Sequence, residues 1–248
     1  MKNLFRTAKR AVGLIALAYI LGSCIDGELP WDHKKNNSQN STAPAVVEQS
    51  YVSIYQASPR VSNADIVVDG EVITKQPLNY GQQAKYLRVE SGARTLKLQI
   101  GGNEVTELPI TLDKEQLYSV FLVDNNTQPP AFLVMPVTSS PMQEGNVRIR
   151  FINLSPDAPE ANLVEDTGEK VLFEGMSFKE TADFIEIPAQ ASYDLTVRSK
   201  SDNSILIQIP AMRLYKGWTY TVILRGYHSN DAEPQLKLAA EVLSEVER

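Results

Sequence analysis

The chain has 248 residues, 24 of them basic and 30 acidic, and a formal net charge of −6, so it offers no basic patch of the kind that phosphate binding needs and no nucleic-acid partner is expected. At 43% hydrophobic and 8% aromatic, its composition is that of a globular protein, long enough for one large domain or two ordinary ones. The single cysteine, Cys24, excludes an intramolecular disulfide and a zinc site of several thiolates, and two histidines, His33 and His228, do not make an imidazole-rich metal site.

The first ten residues carry Lys2, Arg6, Lys9 and Arg10 and no acid, and the apolar run "AVGLIALAYIL" follows from Ala11 to Leu21. About 20 apolar residues are needed to span a bilayer, so this run is short for a membrane helix. A basic head, a short apolar middle and a small-residue end read instead as an export signal over residues 1–23. Its end, Leu21-Gly22-Ser23-Cys24, resembles the lipobox of bacterial lipoproteins, and the only cysteine of the chain stands at the motif's cysteine position. The resemblance implies cleavage before Cys24 and acylation of both its sulfur and its new amine, which gives stable membrane attachment. Removing a segment with four basic residues and no acid takes the formal charge from −6 to −10. Such a chain gains nothing from anionic lipid, so the acyl chains must hold it.

Residues 24–49 read as a lipidated start and a flexible tether, with Asn, Ser, Gln and Thr clustered at 36–42 and no apolar periodicity. Some 25 flexible residues span roughly 25–30 Å, enough to lift a folded head off the lipid. Asp26, Glu28 and Asp32 resemble the acidic signals that send some lipoproteins to the outer face of the outer membrane. The expected location is therefore the outer membrane, lipid-anchored, facing the periplasm or the cell surface.

The rest of the chain repeats. "VSIYQASPRVSNADIVVDG" (52–70) aligns without a gap on "IRFINLSPDAPEANLVEDT" (149–167), and "KEQLYSVFLV" (114–123) aligns on "KGWTYTVILR" (216–225). Between them, with one-residue gaps, Tyr80, Tyr86 and Val89 meet Phe178, Phe184 and Ile187. Each copy is a series of short apolar or alternating stretches divided by Gly, Pro, Asn and Asp. That pattern predicts two all-β, immunoglobulin-like antiparallel sandwiches over residues 50–138 and 146–243. The terminal "AAEVLSEVER" has some helical period, but the repeat sets its start against "AFLVMPV", which predicts strand. The short stretch at 138–146 predicts a fairly fixed angle between the copies and makes their seam a candidate ligand groove.

"VRIRFINLSPDAPEANLV", the stretch "GMSFKETADFIEIPAQASYDLTVR" and "YKGWTYTVIL" together resemble domain of unknown function 4397, whose signature pairs Asn-x-Ser-Pro-Asp-Ala-Pro with a late "YTv". The second copy carries that signature across residues 146–241; the first lacks the Asp-Ala-Pro but keeps the "VVDG" turn. The resemblance implies extracytoplasmic immunoglobulin-like sandwiches, often in tandem, with no established activity.

Asp157 and Glu160 could form a calcium or catalytic loop, or the "SPDAPE" stretch could be a turn that Pro156 ends and Ser155 braces. Asp157 aligns with Arg60 and Glu160 with Asn63, and a site built from carboxylates does not survive that exchange, so a turn is expected. Among aromatics, Tyr220 aligns with Tyr118 and is read as core, with Val222 and Leu224 on its face. Trp218 aligns with Gln116 and is read near the rim, where with Tyr215 it could contact a ligand. No Gly-x-Ser-x-Gly elbow, His-Glu-x-x-His or phosphate loop occurs, so no catalytic residue, metal or cofactor is assigned. The reading is a non-catalytic binding or structural module held to the membrane by its lipid: a protein–protein adaptor, an adhesin-like element or an accessory subunit, with another envelope protein or a surface glycan as partner. The alternatives are a carbohydrate-binding surface lipoprotein and, since two carboxylates suffice for one, an envelope glycosidase.

Overall fold

The computed structural model describes residues 48–125, 128–167, 169–229 and 231–246. The expected signal, the lipobox Leu21 to Cys24 and nearly all of the tether lie outside the described residues. What is described belongs to one compact unit, Val46–Arg248.

The first copy forms β1 (Gln49–Gln56), β2 (Ala64–Val68), β3 (Glu71–Val72), β4 (Gln83–Glu90), β5 (Gly92–Ile100), β6 (Asn103–Leu112), β7 (Leu117–Asn125) and β8 (Gln128–Val137). The second forms β9 (Asn146–Asn153), β10 (Ala161–Glu165), β11 (Lys170–Met176), β12 (Ile185–Pro188), β13 (Tyr193–Ser199), β14 (Ile205–Met212), β15 (Thr219–Arg225) and β16 (Ala239–Val246). Sheets β4-β1-β7-β8 and β3-β2-β5-β6 make one sandwich, and β12-β9-β15-β16 and β11-β10-β13-β14 make the other, strand for strand in the same order. The ambiguous C-terminal stretch is the edge strand β16, which runs past residue 243 to Val246.

The expected antiparallel sandwiches are there, with one exception in each. The sandwiches are not purely antiparallel: β1 runs parallel to β7 and β9 parallel to β15. In each copy the first strand lies beside the seventh, and the intervening strands supply the long crossover that a parallel pair requires. Apolar content does not encode strand direction, so the sequence pattern was silent on this.

Local chemistry explains the turns. Asp69 and Gly70 both have positive φ, 49° and 93°, the backbone of a tight hairpin turn between β2 and β3. Asp69 Oδ1 accepts from the Thr95 amide at 2.9 Å, which ties that turn to β5. At the start of β7 the Tyr118 hydroxyl accepts from the Asp113 amide at 3.0 Å, and at the start of β15 the Tyr220 hydroxyl accepts from the Tyr215 amide at 3.1 Å. A buried tyrosine reaching back to backbone a few residues upstream is a recurrent corner of immunoglobulin-like sandwiches.

Each sandwich has its own core. Val52, Ile54, Leu96, Leu98, Val120 and Leu122 are buried in the first, and Ile149, Phe151, Leu163, Leu195, Val222 and Leu224 in the second. Ala64 and Ala161, equivalent positions, are fully buried, one in each. A third core lies between the sandwiches: Tyr55, Phe121, Val123 and Met135 of the first copy pack with Ile152, Leu154, Ile223 and Leu243 of the second. Strands β1, β7, β9 and β15 are thus buried on both faces, which is why they read as apolar runs rather than as clean alternation. A fully buried large apolar side chain contributes roughly 1.5–3 kcal/mol. A core of this size therefore rivals the net stability of a whole small domain, and joins the copies into one body.

Candidate functional site

The seam between the copies holds the densest chemistry among the described residues. Glu245 on β16 is 1% exposed and pairs with Arg150 on β9 at 3.3 Å. Its Oε1 also accepts from Ser119 of the first copy at 2.7 Å and from Thr221 of the second at 2.6 Å. Arg150 in turn donates to Thr221 Oγ1, to Ser119 Oγ and to the Pro136 carbonyl, and stacks over Phe184 at 4.3 Å. Burial pulls the Arg150 guanidinium below its usual range, and the Glu245 charge opposes that shift.

A second polar group lies at the other end of the apolar seam. Tyr55 of the first copy donates to Glu241 Oε2 at 2.5 Å, Glu241 pairs with Arg225, and Arg225 covers the Tyr80 ring at 4.6 Å. Burial, reinforced by the bond to Glu241, drives the Tyr55 hydroxyl far above its normal range. Nearby, Asp124 of β7 accepts from Ser58 and from the Tyr227 hydroxyl (2.9 Å) and pairs with Arg60 at 3.2 Å. Burial and then the Asp124 bond push the Tyr227 hydroxyl up to about 12.

The two edges of the seam differ. Where β4 meets β16 it is laced: Lys85 Nζ donates to Ser244 Oγ at 2.7 Å and the Tyr86 hydroxyl to the Glu245 carbonyl at 3.0 Å. The equivalent edge, between β8 and β12, gapes. There a cleft of about 640 Å³ is lined by residues that include Gln116, Val137, Arg148, Arg150, Phe184 and Glu186. That volume lies within the range of small-ligand pockets. Arg148 fixes one wall, donating to the Ser140 and Pro141 carbonyls at 3.2 and 3.1 Å and pairing with Glu186 at 2.8 Å. Glu186 also accepts from the Gln143 amide at 2.9 Å and from Asn146 Nδ2 at 3.2 Å, so the stretch joining the copies is pinned to the second sandwich.

The sequence-derived site residues sit elsewhere. The Tyr215 ring, 49% exposed, lies 5.0 Å from Trp218, and Trp218 stacks on Tyr220 at 6.0 Å. Trp218 is half-buried and packs on the rim of the second core. Asp157 holds a loop: its Oδ1 accepts from the His228 amide at 2.7 Å and its Oδ2 from the Ser229 amide at 3.0 Å. Ser155 Oγ accepts from the Ala158 amide at 3.2 Å, and Asn153, like its equivalent Gln56, braces the same turn through its side-chain amide. The "SPDAPE" stretch is a turn. Among the described residues no group of three or more His, Cys, Asp or Glu side chains is placed to hold a metal. Sequence reasoning missed Arg148, Arg150, Phe184 and Glu186. The available signal was the pair of arginines in "NVRIRFIN", charges set in a strand otherwise apolar on both faces.

The profile of a domain of unknown function (DUF4397) matches residues 50–164. That range takes in the first sandwich and the opening strands β9 and β10 of the second, rather than the 146–241 stretch on which the sequence resemblance was placed. No curated protein matches the chain. Among solved structures, a Bacteroides ovatus ATCC 8483 protein proposed to act in cell adhesion is similar over 82% of this chain and 99% of its own, at 12% identity and a TM-score of 0.24. A score that low carries no weight for fold or function.

Proposed function

We propose that the chain is a lipid-anchored cell-envelope protein whose head is a tandem pair of DUF4397-type sandwiches, and that it acts by binding rather than by chemistry. The observation that carries this reading is the place of the only cysteine, Cys24, directly after Leu21-Gly22-Ser23 at the end of a signal-like segment. Acylated there, the protein stands on the outer membrane, and residues 24–49 tether the head. A binding role is supported by how the seam spends its ionisable groups. Glu245, Glu241, Asp124 and Glu186 all bond partners within the fold, which gives each a structural task there. The cleft between β8 and β12 is the contact surface, and another envelope protein is its partner. Palmitate labelling of cells making the wild-type and Cys24→Ser proteins tests the anchor: label and membrane association are expected for the first and lost in the second. Equal membrane association without label would reject it.

A second reading, a surface carbohydrate binder, is favoured by one observation: the exposed Tyr215 ring beside Trp218. Aromatic faces stack on sugar rings. A folded, soluble head that stays silent on a glycan array counts against it, and binding lost in Tyr215→Ala supports it.

A further inference from the structure

Two equivalent turns at one end of the head have diverged in chemistry. Ser119 and Thr221 meet at Glu245 near the starts of β7 and β15. Asp124, at the far end of β7, accepts from the hydroxyl of Tyr227, just past β15, at 2.9 Å. The two strands therefore run side by side in one direction, and the turns that lead into them, residues 113–116 and 215–218, leave the head at the same end. The turns share a backbone. Glu115 and Gly217 hold equivalent positions with φ of 59° and 81°, and the amides of Asp113 and Tyr215 both donate to a corner tyrosine hydroxyl. Their side chains differ: where the first copy has Asp113, Glu115 and Gln116, the second has Tyr215, Gly217 and Trp218.

The corner itself needs no ring at this position. Asp113 fills it in the first copy, where its carboxylate takes the Tyr118 hydroxyl at 3.1 Å. In the second copy the Tyr215 ring is 49% exposed, 5.0 Å from the half-buried Trp218, and the exposed Arg213 and Lys216 stand on either side of it in sequence. The described chain also begins at this end. The Glu48 carbonyl accepts from the Ser91 amide at 3.0 Å, its carboxylate pairs with Lys114 at 2.9 Å, and the Gln49 carbonyl accepts from the Glu115 amide at 2.7 Å. Residues 24–47 come before it, and a chain of that length reaches no farther than about 80 Å.

We propose that the Tyr215–Trp218 turn rests on the lipid surface, with the Tyr215 ring in the headgroup layer and Arg213 and Lys216 on lipid phosphates. This rests on the reading that Cys24 is acylated. An anchor there brings the end that carries Glu48 to the bilayer first. Tyrosine and tryptophan gather at membrane interfaces, where an apolar body and a polar tip both find their medium, and long basic side chains reach the headgroups from the same depth. One turn is a weak contact by itself, but the link to the anchor presents it to the lipid at high effective concentration. The sister turn, with Asp113 and Glu115, is repelled by phosphate, so the head leans on its second copy. The ring that the carbohydrate reading offers to a sugar is thus turned to the membrane.

The test couples the chain from Cys24 onward to phosphatidylcholine vesicles that carry a maleimide lipid. Cys24 is the only cysteine, so the bond forms there alone. That bond stands in for the acyl chains, so the outcome is independent of whether cells acylate Cys24, which palmitate labelling decides separately. A second lipid bears a nitroxide on its headgroup, and Trp31→Phe leaves Trp218 as the one tryptophan. Quenching of Trp218 fluorescence is expected in the coupled protein. Tyr215→Asp gives this turn the side chain that its sister already tolerates, and it should lose most of the quenching at an unchanged melting temperature. Lys216→Glu, a change at an exposed side chain, should weaken the quenching as well. Absence of quenching in the coupled parent, or quenching as strong in Tyr215→Asp as in the parent, overturns the proposal. An unquenched parent that binds a glycan through Tyr215 would assign the ring to a sugar instead.

Discussion

Ser119 of β7 and Thr221 of β15 hold equivalent positions in the two copies, and both donate to the same oxygen, Glu245 Oε1, at 2.7 and 2.6 Å. Arg150 completes the cluster. Neither copy alone supplies it, so the seam is specified by polar groups as well as by apolar packing.

Glu245→Ala strands the Arg150 charge in a buried site. Removing one member of a buried pair costs about 3–5 kcal/mol, while replacing both by apolar residues of similar volume is often neutral. Urea unfolding should therefore show a large loss for Glu245→Ala and recovery of most of it in Arg150→Met with Glu245→Leu. A double variant as weak as the single would mean that the pair's geometry, not its charge, is what matters.

Phe121 is 1% exposed in the shared core, against Ile152 and Ile223 of the other copy. Phe121→Ala should lower stability by about 3–5 kcal/mol, the usual cost of a large aromatic-to-alanine cavity. The loss should appear in the unfolding of both copies. A tryptophan reporter in the second sandwich, Trp218, shows whether the effect crosses the seam.

Much of this was legible in the sequence, and for physical reasons. Strand period and turn residues marked both copies as all-β, because side-chain alternation and Gly, Asn and Asp turns are local properties; β6 and β11 were not singled out. The repeat exposed the turn nature of Asp157, since Arg60 replaces it in the sister copy. The face on which the copies meet was not legible. Tyr55, Phe121 and Ile223 look like ordinary core residues, and only their alternation against Ile54, Val120 and Val222, which fill separate cores, shows that the strands are buried twice. The parallel pairing of β1 with β7 was equally hidden, because strand direction leaves no mark on composition. Arg150 in "NVRIRFIN" was the one visible sign of a buried polar seam.

Asp157 joins the first turn of the second copy to the loop after β15 through two backbone amides. Asp157→Ala removes both acceptors, and hydrogen bonds to a charged group contribute about 1.5–3 kcal/mol. Faster hydrogen exchange at the His228 and Ser229 amides is expected, with the sandwich cores unchanged. Unchanged exchange at both amides would show that the carboxylate does not hold the loop.

Glu186 is held below the ordinary carboxyl value of 4.5 by the Gln143 amide first, then by Arg148 and Asn146. A depressed folded value means that the fold favours the ionised form. The clamp on the joining stretch is therefore fully present above the ordinary value and is lost as pH falls through the lower, folded one. The Gln143 amide shift should titrate only below the normal glutamate range, and Glu186→Gln should abolish that titration. A midpoint at or above the normal value would contradict the clamp.

The most direct test of the shared core is equilibrium urea unfolding of residues 46–248, followed at once by Trp218 fluorescence, which reports the second sandwich, and by far-ultraviolet circular dichroism, which reports both. One body held by a common core predicts superimposable curves with a single midpoint and a slope set by the whole unit. Two separated transitions, with fluorescence tracking only one of them, would contradict it.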